Sequence, residues 1–478
     1  MNNKIILSNL IWRFAERIGA QMVSFVVSII LARILEPSAY GTVALMTVFI
    51  SILQVFVDSG LGNALIQKKN VDNIDFSTVF FTNIFFCTII YIILFILSPT
   101  IALFFENSSI SGYMRVLGLT VLISGIKNVQ QAFVSRHMLF KKFFFSTLAG
   151  TLAAGVIGVI MAYKGLGVWA LVAQQVINLT IDTTVLWFTV KWRPIFIYSL
   201  DRLKKLYSYG WKLLASSLLD TIYTNLRQLL IGKIYSSADL AQYNRGQQFP
   251  NLVVTNINAS IDSVLFPSIA KEQEDRAKVK SLTRRSIKIS TYVMAPLMIG
   301  LAFCGRSIVG LILTDKWLPC VFFMQVFCIT YMFYPIHTAN LNAIKAMGRS
   351  DLFLKLEIEK KIVGLILLLG TMFISIKAMT YSLLISTMIN QFINSFPNKK
   401  ILDYGYKEQI KDILPSIGLA LFMGCIIYPI QNLGLQYIYT LIIQIPLGAV
   451  IYIYLSKLFH LDSYEYLLNI LKQYIKGR

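Results

Sequence analysis

The chain has few of the residues with which enzymes carry out chemistry. Its 478 residues include three histidines and five cysteines, and neither type shows metal-ligand spacing or a CxxC pair. The segments between apolar stretches contain no phosphate-binding glycine loop, no HExxH run and no paired-carboxylate loop. Charged residues make up only 14% of the chain, which is well below the share in soluble domains. We therefore expect no enzymatic activity, no metal and no cofactor, and the composition argues against a soluble protein.

Hydrophobic residues, in contrast, make up 56% of the chain, and the mean hydropathy is +0.65. They are concentrated in fourteen stretches, and most are about as long as the roughly 20 residues that a helix needs to cross a bilayer core. The sequence therefore predicts an all-α polytopic membrane protein. The predicted spans are 11–33, 41–66, 79–97, 114–135, 143–163, 168–190, 210–231, 251–270, 289–314, 321–344, 362–376, 378–397, 413–430 and 435–456.

Basic residues are distributed unevenly between the gaps that separate these spans. The gaps on one side contain 31 of the 44 Lys and Arg residues, the alternate gaps contain 5, and the others lie inside spans. Since basic loops stay in the cytoplasm, this bias predicts that both termini are cytoplasmic. It also accounts for the net charge of +21, so no nucleic-acid partner is expected.

A weak internal repeat indicates that the chain has two halves. The segments IILARILEPSAYG (Ile29 to Gly41) and LLIGKIYSSADLAQYNRG (Leu229 to Gly246) both run from an apolar helix through a basic residue and a short polar loop into a new helix. Six spans separate equivalent points, so both copies keep one orientation, as parallel repeats do. Between the halves, the stretch from Ile195 to Leu214 mixes bulky apolar with basic residues, which predicts an amphipathic helix on the membrane surface. The predicted domains are a six-helix bundle at 1–194, a cytoplasmic amphipathic linker at 195–209, a second six-helix bundle at 210–405, and two extra spans with a cytoplasmic tail at 406–478.

Several runs in both halves resemble one known family. The chain resembles the polysaccharide-transporter branch of the multidrug/oligosaccharidyl-lipid/polysaccharide flippase superfamily. The resemblance implies twelve core helices in two bundles around a central cavity, here with two extra helices at the C-terminus. One departure is that Asn225 and Leu226 are followed by Arg227, where the family often has an acid. The resembling runs are SFVVSIILARILEPSAYGTVALM (Ser24 to Met46), DSGLGNALIQKK (Asp58 to Lys69), IGKIYSSADLAQYNRGQQFP (Ile231 to Pro250), VLFPSIAKEQED (Val264 to Asp275) and LNAIKAMGRSD (Leu341 to Asp351).

The function that this resemblance implies is translocation of undecaprenyl-pyrophosphate-linked oligosaccharides across the bacterial cytoplasmic membrane by alternating access. The expected partners are that lipid-linked substrate, membrane lipids and polysaccharide assembly proteins. Two alternatives stay open: a cation-coupled multidrug exporter of the same superfamily, and a membrane enzyme such as an oligosaccharide polymerase or glycosyltransferase. The enzyme alternative needs a sizeable external loop, and the longest outward gaps, Ser98 to Tyr113 and Gly232 to Pro250, are short.

Ionisable residues inside the predicted spans are the candidate functional residues. A charge at the centre of a membrane helix costs about 2.5–3.5 kcal/mol on insertion scales, so these side chains are expected to avoid lipid. On the seventh span the polar residues fall within one arc of about 80° at 100° per residue, and the first and eighth spans carry similar polar stripes. We interpret the basic members as the lining of a cationic, substrate-binding cavity. They are Arg13, Arg17, Lys127, Lys212, Arg227 and Arg306.

Lys127 is the strongest of these candidates, because it lies near the middle of the fourth span with no acid at helical spacing. Three acids are candidate sites for coupling transport to a proton or sodium gradient, namely Asp58, Asp220 and Asp262. The same acids could instead pair with Lys127, Arg227 or Arg306, and the sequence does not separate these interpretations.

Overall fold

A computed structural model describes residues 3–58 and 61–475, in which helices are joined by short connections and no strand occurs. The chain divides into two compact units, Met1–Ala241 and Gln242–Arg478. The first unit contains α1 (Asn3–Ile34), α2 (Pro37–Asp58), α3 (Leu61–Gln67), α4 (Asn73–Phe104), α5 (Ser109–Arg136), α6 (Phe140–Tyr163), α7 (Val168–Thr189), α8 (Leu200–Ile234) and the start of α9 (Ser237–Lys271).

The second unit contains the rest of α9 and nine further α-helices. They are α10 (Arg276–Phe303), α11 (Gly305–Ile312), α12 (Cys320–Met332), α13 (Tyr334–Ala346), α14 (Ser350–Thr371), α15 (Ile376–Leu402), α16 (Tyr406–Ile427), α17 (Tyr437–Leu458) and α18 (Asp462–Ile475). Short 3-10 helices lie at Asp315–Trp317 and Tyr428–Asn432.

Each of the fourteen predicted spans overlaps at least one of these helices, and the spans at 289–314 and 321–344 are each divided between two helices. The prediction of an all-α polytopic membrane protein is confirmed. Among the described residues, nine helical segments are long and apolar enough to cross a membrane by length and composition alone. The other five predicted spans lie on the more polar helices α1, α7, α8, α14 and α15. Those helices carry ionisable or amide side chains, which lower their hydropathy without shortening them.

Close approaches at glycine hold the first unit together. Inside a membrane there is little hydrophobic force between helices, so association relies on small residues that let backbones come close. A Cβ atom on Gly125 of α5 would lie 2.6 Å from the sulfur of Cys87 on α4. A Cβ atom on Gly41 of α2 would lie 1.6 Å from the backbone oxygen of Ser237. Larger residues at either glycine would force these helices apart.

Buried amides link three helices of the second unit. Asn340 of α13 donates to Gln409 Oε1 of α16 over 2.9 Å, and Gln409 donates back to Asn340 Oδ1 over 2.9 Å. Asn398 of α15 donates to the same Asn340 oxygen over 2.6 Å. All three side chains are buried. Such reciprocal amide pairs satisfy polar groups that would otherwise lie unpaired in an apolar interior.

The segment between α7 and α8 differs from the amphipathic helix predicted from Ile195 onward. Residues 195–199 are non-helical, with a bend at Phe196, and α8 begins at Leu200 with the Ser199 side chain as its N-cap. The Ile195 and Ser199 N–H groups donate to Ser77 Oγ and Thr78 Oγ1 of α4 over 3.0 and 3.2 Å. The remaining basic residues form the first turns of the 35-residue α8, continuous with the seventh predicted span.

The compact-unit division falls inside α9, later than the predicted linker, because α8 packs against α2, α3 and α4. This division describes packing, so the predicted domain limits at 1–194, 195–209, 210–405 and 406–478 stay predictions about the repeat. The predicted repeat elements themselves have the same local structure. One helix ends at Ile34 and the next begins at Pro37, and 200 residues later α8 ends at Ile234 and α9 begins at Ser237.

Candidate functional site

A buried ion pair joins α5 to α7 within the first unit. Lys127 Nζ lies 2.5 Å from Asp182 Oδ2, and the two side chains are 11% and 8% exposed. The sequence offers no acid at helical spacing from Lys127, and the structure supplies one from a helix 55 residues further along the chain. The statement that no acid lies at helical spacing from Lys127 concerns its own helix alone, and the partner comes from a different helix.

The position of Asp182 depends on a close approach between α6 and α7. A Cβ atom on Gly150 would lie 2.6 Å from the backbone oxygen of Asn178 and 3.1 Å from the Cβ of Asp182. Only glycine fits there without a shift of the backbone. The close contact fixes α7 beside α6 and so fixes the height at which Asp182 meets Lys127.

A neutral pair occupies the matching place in the second unit. His337 lies nine residues before the end of α13, as Lys127 lies nine residues before the end of α5. Its Nδ1 is 3.1 Å from the amide nitrogen of Asn394, which lies eight residues before the end of α15, while Asp182 lies seven before the end of α7. The repeat thus places a polar pair at equivalent heights, charged in the first half and uncharged in the second.

The first unit also contains a polar cavity of about 550 Å³ between α1, α2, α3, α5, α6 and α8. Its described lining includes two carboxylates, Glu16 and Asp58, together with amide and hydroxyl groups. The Asn128 amide donates to Asp58 Oδ1 over 3.3 Å. The polar members of this lining are Glu16, Asp58, Asn63, Asn128, Gln131, Ser135, Thr147 and Ser217. Carboxylate and amide oxygens favour a proton or a hard cation over an anion.

Asp58 and Asp262 lie on corresponding helices of the repeat, about one helical turn apart in its register. The letters DSGL at 58–61 recur as DSVL at 262–265. Both carboxylates accept from an asparagine amide, Asp58 from Asn128 and Asp262 from Asn342 over 2.7 Å. Neither is paired with Lys127, as the sequence had left open. Both side chains are exposed, and Asp58 also lines the cavity that contains Glu16.

The remaining predicted residues lie on α1, α8 and α11. Lys212 and Asp220 are exposed on α8, and Arg227 is half-buried further along the same helix. Arg306 is exposed on α11 of the second unit. Arg13 and Arg17 belong to α1, but their side chains lie outside the described residues. The structure therefore brings Asp58 into a cavity and Lys127 into a buried pair, and it leaves two ionised groups of α8 exposed along a membrane-spanning helix.

An apolar groove of about 460 Å³ runs between α9, α10, α16 and α17 in the second unit. Gly300 and Gly448 lie on its walls. Its amide and phenol groups turn away into the protein, since Gln444 donates to the Ile427 carbonyl and Tyr452 to the Tyr292 carbonyl, each over 2.9 Å. The groove therefore presents aliphatic surface that suits a hydrocarbon chain.

The fold defined by these helices is that of polytopic α-helical transporters. The chain superimposes on a structure of the lipid II flippase MurJ in its inward closed conformation with a TM-score of 0.76, at 13% identity, covering 95% of this chain and 99% of that one. It also superimposes on an inward-facing MATE family multidrug transporter with a TM-score of 0.63, at 12% identity, covering 86% of this chain and 98% of the other. At these identities the likeness shows the fold.

Sequence comparison gives the family. Residues 30–322 match the family described as polysaccharide biosynthesis protein, and the chain belongs to it. It is 24% identical to the teichuronic acid biosynthesis protein TuaB of Bacillus subtilis (strain 168) over 84% of this chain and 85% of that protein. It is 21% identical to the lipopolysaccharide biosynthesis protein WzxC of Escherichia coli (strain K12) over 83% of each chain. The resemblance noted in the sequence is thereby confirmed, and the protein is a multi-pass membrane protein of polysaccharide biosynthesis.

Proposed function

We propose that the protein is a flippase that moves undecaprenyl-pyrophosphate-linked oligosaccharides from the inner to the outer leaflet of the bacterial cytoplasmic membrane. Family membership is the observation that carries this proposal, and the relatives that cover most of the chain are named for teichuronic acid and lipopolysaccharide biosynthesis. No covalent bond changes in the process. Both termini are cytoplasmic in this proposal, in keeping with the strong bias of basic residues to one set of gaps.

The exposed charges on α8 support a hydrated path for the pyrophosphate and the sugars. Lys212 and Asp220 lie on one face of that helix and are exposed. If these side chains faced lipid near the middle of the membrane, each charge would cost about 2.5–3.5 kcal/mol of insertion free energy. A water-filled cavity on that side removes the penalty and gives an anionic head group a polar route. Lys212, Arg227, Arg306, Arg13 and Arg17 are the candidate cations on this route.

The apolar groove of the second unit supports a place for the polyprenyl tail. A polyprenyl chain gains free energy by burying hydrocarbon, about 25 cal/mol for each Å² removed from water. It also needs no polar partners, and the groove offers almost none. In this proposal the tail stays in the groove or the adjoining lipid while the head group crosses.

Coupling to a proton or sodium gradient belongs in the first unit, at Asp58. The carboxylate shares its cavity with Glu16 and accepts from Asn128. Two acids in one partly enclosed polar space favour uptake of a cation, because each makes the electrostatic potential at the other more negative. Binding and release of that cation would bias the equilibrium between inward-facing and outward-facing states.

Reconstitution tests the proposal directly. Proteoliposomes with a fluorescent lipid-linked oligosaccharide in the inner leaflet should expose it outside in a protein-dependent manner, faster with a proton or sodium gradient. Gly448→Leu should slow transport of the full polyprenyl substrate by about tenfold and leave a short-tailed analogue unaffected, because leucine fills the groove. Gly418→Leu is the matched control, since nothing lies within 4 Å of a Cβ atom there. Absence of any flux in folded protein would contradict the proposal.

A cation-coupled drug exporter is the second candidate, because two carboxylates line the cavity of the first unit. Acidic cavities suit cationic drugs. The same proteoliposomes loaded with a fluorescent cationic dye would distinguish the two, since export of the dye without movement of the lipid-linked sugar favours the exporter.

A further inference from the structure

The first turns of α10 carry a column of basic side chains on one helix face. Three of them, Lys280, Arg284 and Lys288, are four residues apart and so follow one another at about one helical turn. Arg285 is next to Arg284, and the group extends along about 12 Å of helix. They border a cavity of about 490 Å³ whose opposite wall is α18, through Asp462, Ser463 and Tyr466. The sequence alone suggests a solvated basic segment, whereas the structure forms a concave site from it.

Two of the four bases are engaged by the protein. Lys280 donates to the Asp403 carbonyl and lies 3.2 Å from Glu408 Oε2. Arg284 donates from Nε and Nη2 to the two oxygens of Asp412 over 2.7 and 2.8 Å. Asp412 is 5% exposed and also accepts from the Tyr404 hydroxyl over 2.8 Å. Such a bidentate, buried pair holds its geometry. Arg284 is therefore part of the wall that fixes α10 against α16.

Two other bases are held in ways that leave them available to an anion. The Arg285 guanidinium lies 4.8 Å from the centre of the Tyr466 ring, and no carboxylate of the described chain lies within ion-pair distance of it. Lys288 Nζ lies 2.5 Å from Asp462, which is 79% exposed, and 3.9 Å from the buried Asp412. Because Asp462 is at the surface, its contact with Lys288 contributes little and an incoming anion can replace it. Arg285 and Lys288 are one turn apart and converge on the same cavity.

The depth of the cavity matches that of lipid head groups. The predicted ninth span begins at residue 289, directly after Lys288, and the last membrane helix, α17, ends at Leu458 just before α18. Ser281 and Ser463 add hydroxyl groups to the lining. A basic cavity at the end of membrane helices, closed by an amphipathic helix, has the chemistry that recognises a phosphate diester or monoester.

We propose that this cavity between α10 and α18 binds the phosphate group of an anionic lipid, with Arg285 and Lys288 as its ligands and the Ser281 and Ser463 hydroxyls beside them. A soluble phosphate has the same chemistry, and the experiment below separates the two sources. The site lies outside the proposed transport path and does not depend on transport. Only its assignment to the cytoplasmic leaflet rests on the orientation given under the proposed function.

Lipid binding to the purified full-length protein tests the site. Native mass spectrometry with added phosphatidylglycerol or phosphatidylcholine gives the affinity for each lipid. The wild type should prefer phosphatidylglycerol, and Arg285→Gln with Lys288→Gln should weaken that binding by about tenfold or more. The matched control is Lys355→Gln with Lys400→Gln, which also removes two exposed cations, one on α14 and one on α15. This control should bind phosphatidylglycerol as the wild type does.

Competition between phosphatidylglycerol and inorganic pyrophosphate for the cavity shows whether the site accepts phosphate groups from lipid alone or also from soluble compounds. Displacement of phosphatidylglycerol by pyrophosphate assigns the site to phosphate groups from either source, and resistance to displacement assigns it to lipid. Equal binding by the wild type and the Arg285/Lys288 variant, or equal binding of both lipids, overturns the proposal. Arg285→Gln alone serves if the double variant unfolds, because Arg285 is exposed. No translocation is measured, so a negative result here leaves the proposed flippase activity untouched.

Discussion

Removal of Lys127 should destabilise the protein before it affects any substrate. Lys127→Ala leaves Asp182, at 8% exposure, as an uncompensated charge in the interior of the first unit. Breaking a buried pair in this way costs about 3–5 kcal/mol. That is a large share of the 5–15 kcal/mol by which folded proteins are usually stable. We expect a lower thermal unfolding temperature in detergent and a lower yield from the membrane.

The second unit suggests how to separate this structural effect from a role in transport. Lys127→His combined with Asp182→Asn copies the neutral pair formed by His337 and Asn394. The combined variant leaves no unpaired charge, so it should be more stable than Lys127→Ala. In a cycle of single and double variants the coupling energy should reach the upper part of the usual range of about 0.5–3 kcal/mol.

Transport by that combined variant then decides what the lysine does. A stable variant that no longer moves the lipid-linked sugar assigns Lys127 to the transport path, and a stable, active variant makes the pair purely structural. The reasoning about the pair itself is refuted if Lys127→Ala unfolds at the wild-type temperature. It is refuted equally if the combined variant is no more stable than the worse single variant.

Three further outcomes follow from other parts of the chain. Asp58→Asn should abolish stimulation of transport by an ion gradient, whereas Asp262→Asn should retain it, because Asp58 lines the cavity that contains Glu16 and Asp262 is not part of that lining; flux assays with imposed gradients measure this. Gly41→Ala should lower the unfolding temperature in detergent, because its Cβ would lie 1.6 Å from a backbone oxygen. The Arg202 guanidinium holds the pKa of Asp72 at about 2, below its ordinary value. The stabilisation that this ion pair gives the folded protein is therefore present at neutral pH and fades as the pH falls toward 2. Arg202→Gln should reduce the loss of thermal stability on acidification.

The membrane helices were predictable because their signal is local. An apolar run of sufficient length is visible in any window, and the spans on α4, α6 and α17 were recovered for that reason. The start of α8 was missed because the non-helical backbone of residues 195–199 bonds to hydroxyl groups on α4, more than a hundred residues away. Composition and periodicity carry no information about such contacts.

The candidate site was less predictable, since its partners come from different helices. Lys127 stood out as a charge at membrane depth, but nothing near it in the chain pointed to Asp182. The likeness between the segments around Asp58 and Asp262 was visible in the letters DSGL and DSVL. The neutral pair of His337 and Asn394 was not, because its residue types differ from those in the first half and only helix register reveals the correspondence.

The segment that leads into α8 is held by hydrogen bonds and an ion pair, and these contacts limit how the helix can move. Backbone groups at Ile195 and Ser199 are tied to α4, and Arg202 is tied to Asp72 at the same end. A helix held at one end can move its other end only by bending along its length, unless the contacts at the held end break. While these contacts persist, rocking of α8 during a transport cycle therefore appears as curvature within the helix, with its first turn fixed relative to the start of α4.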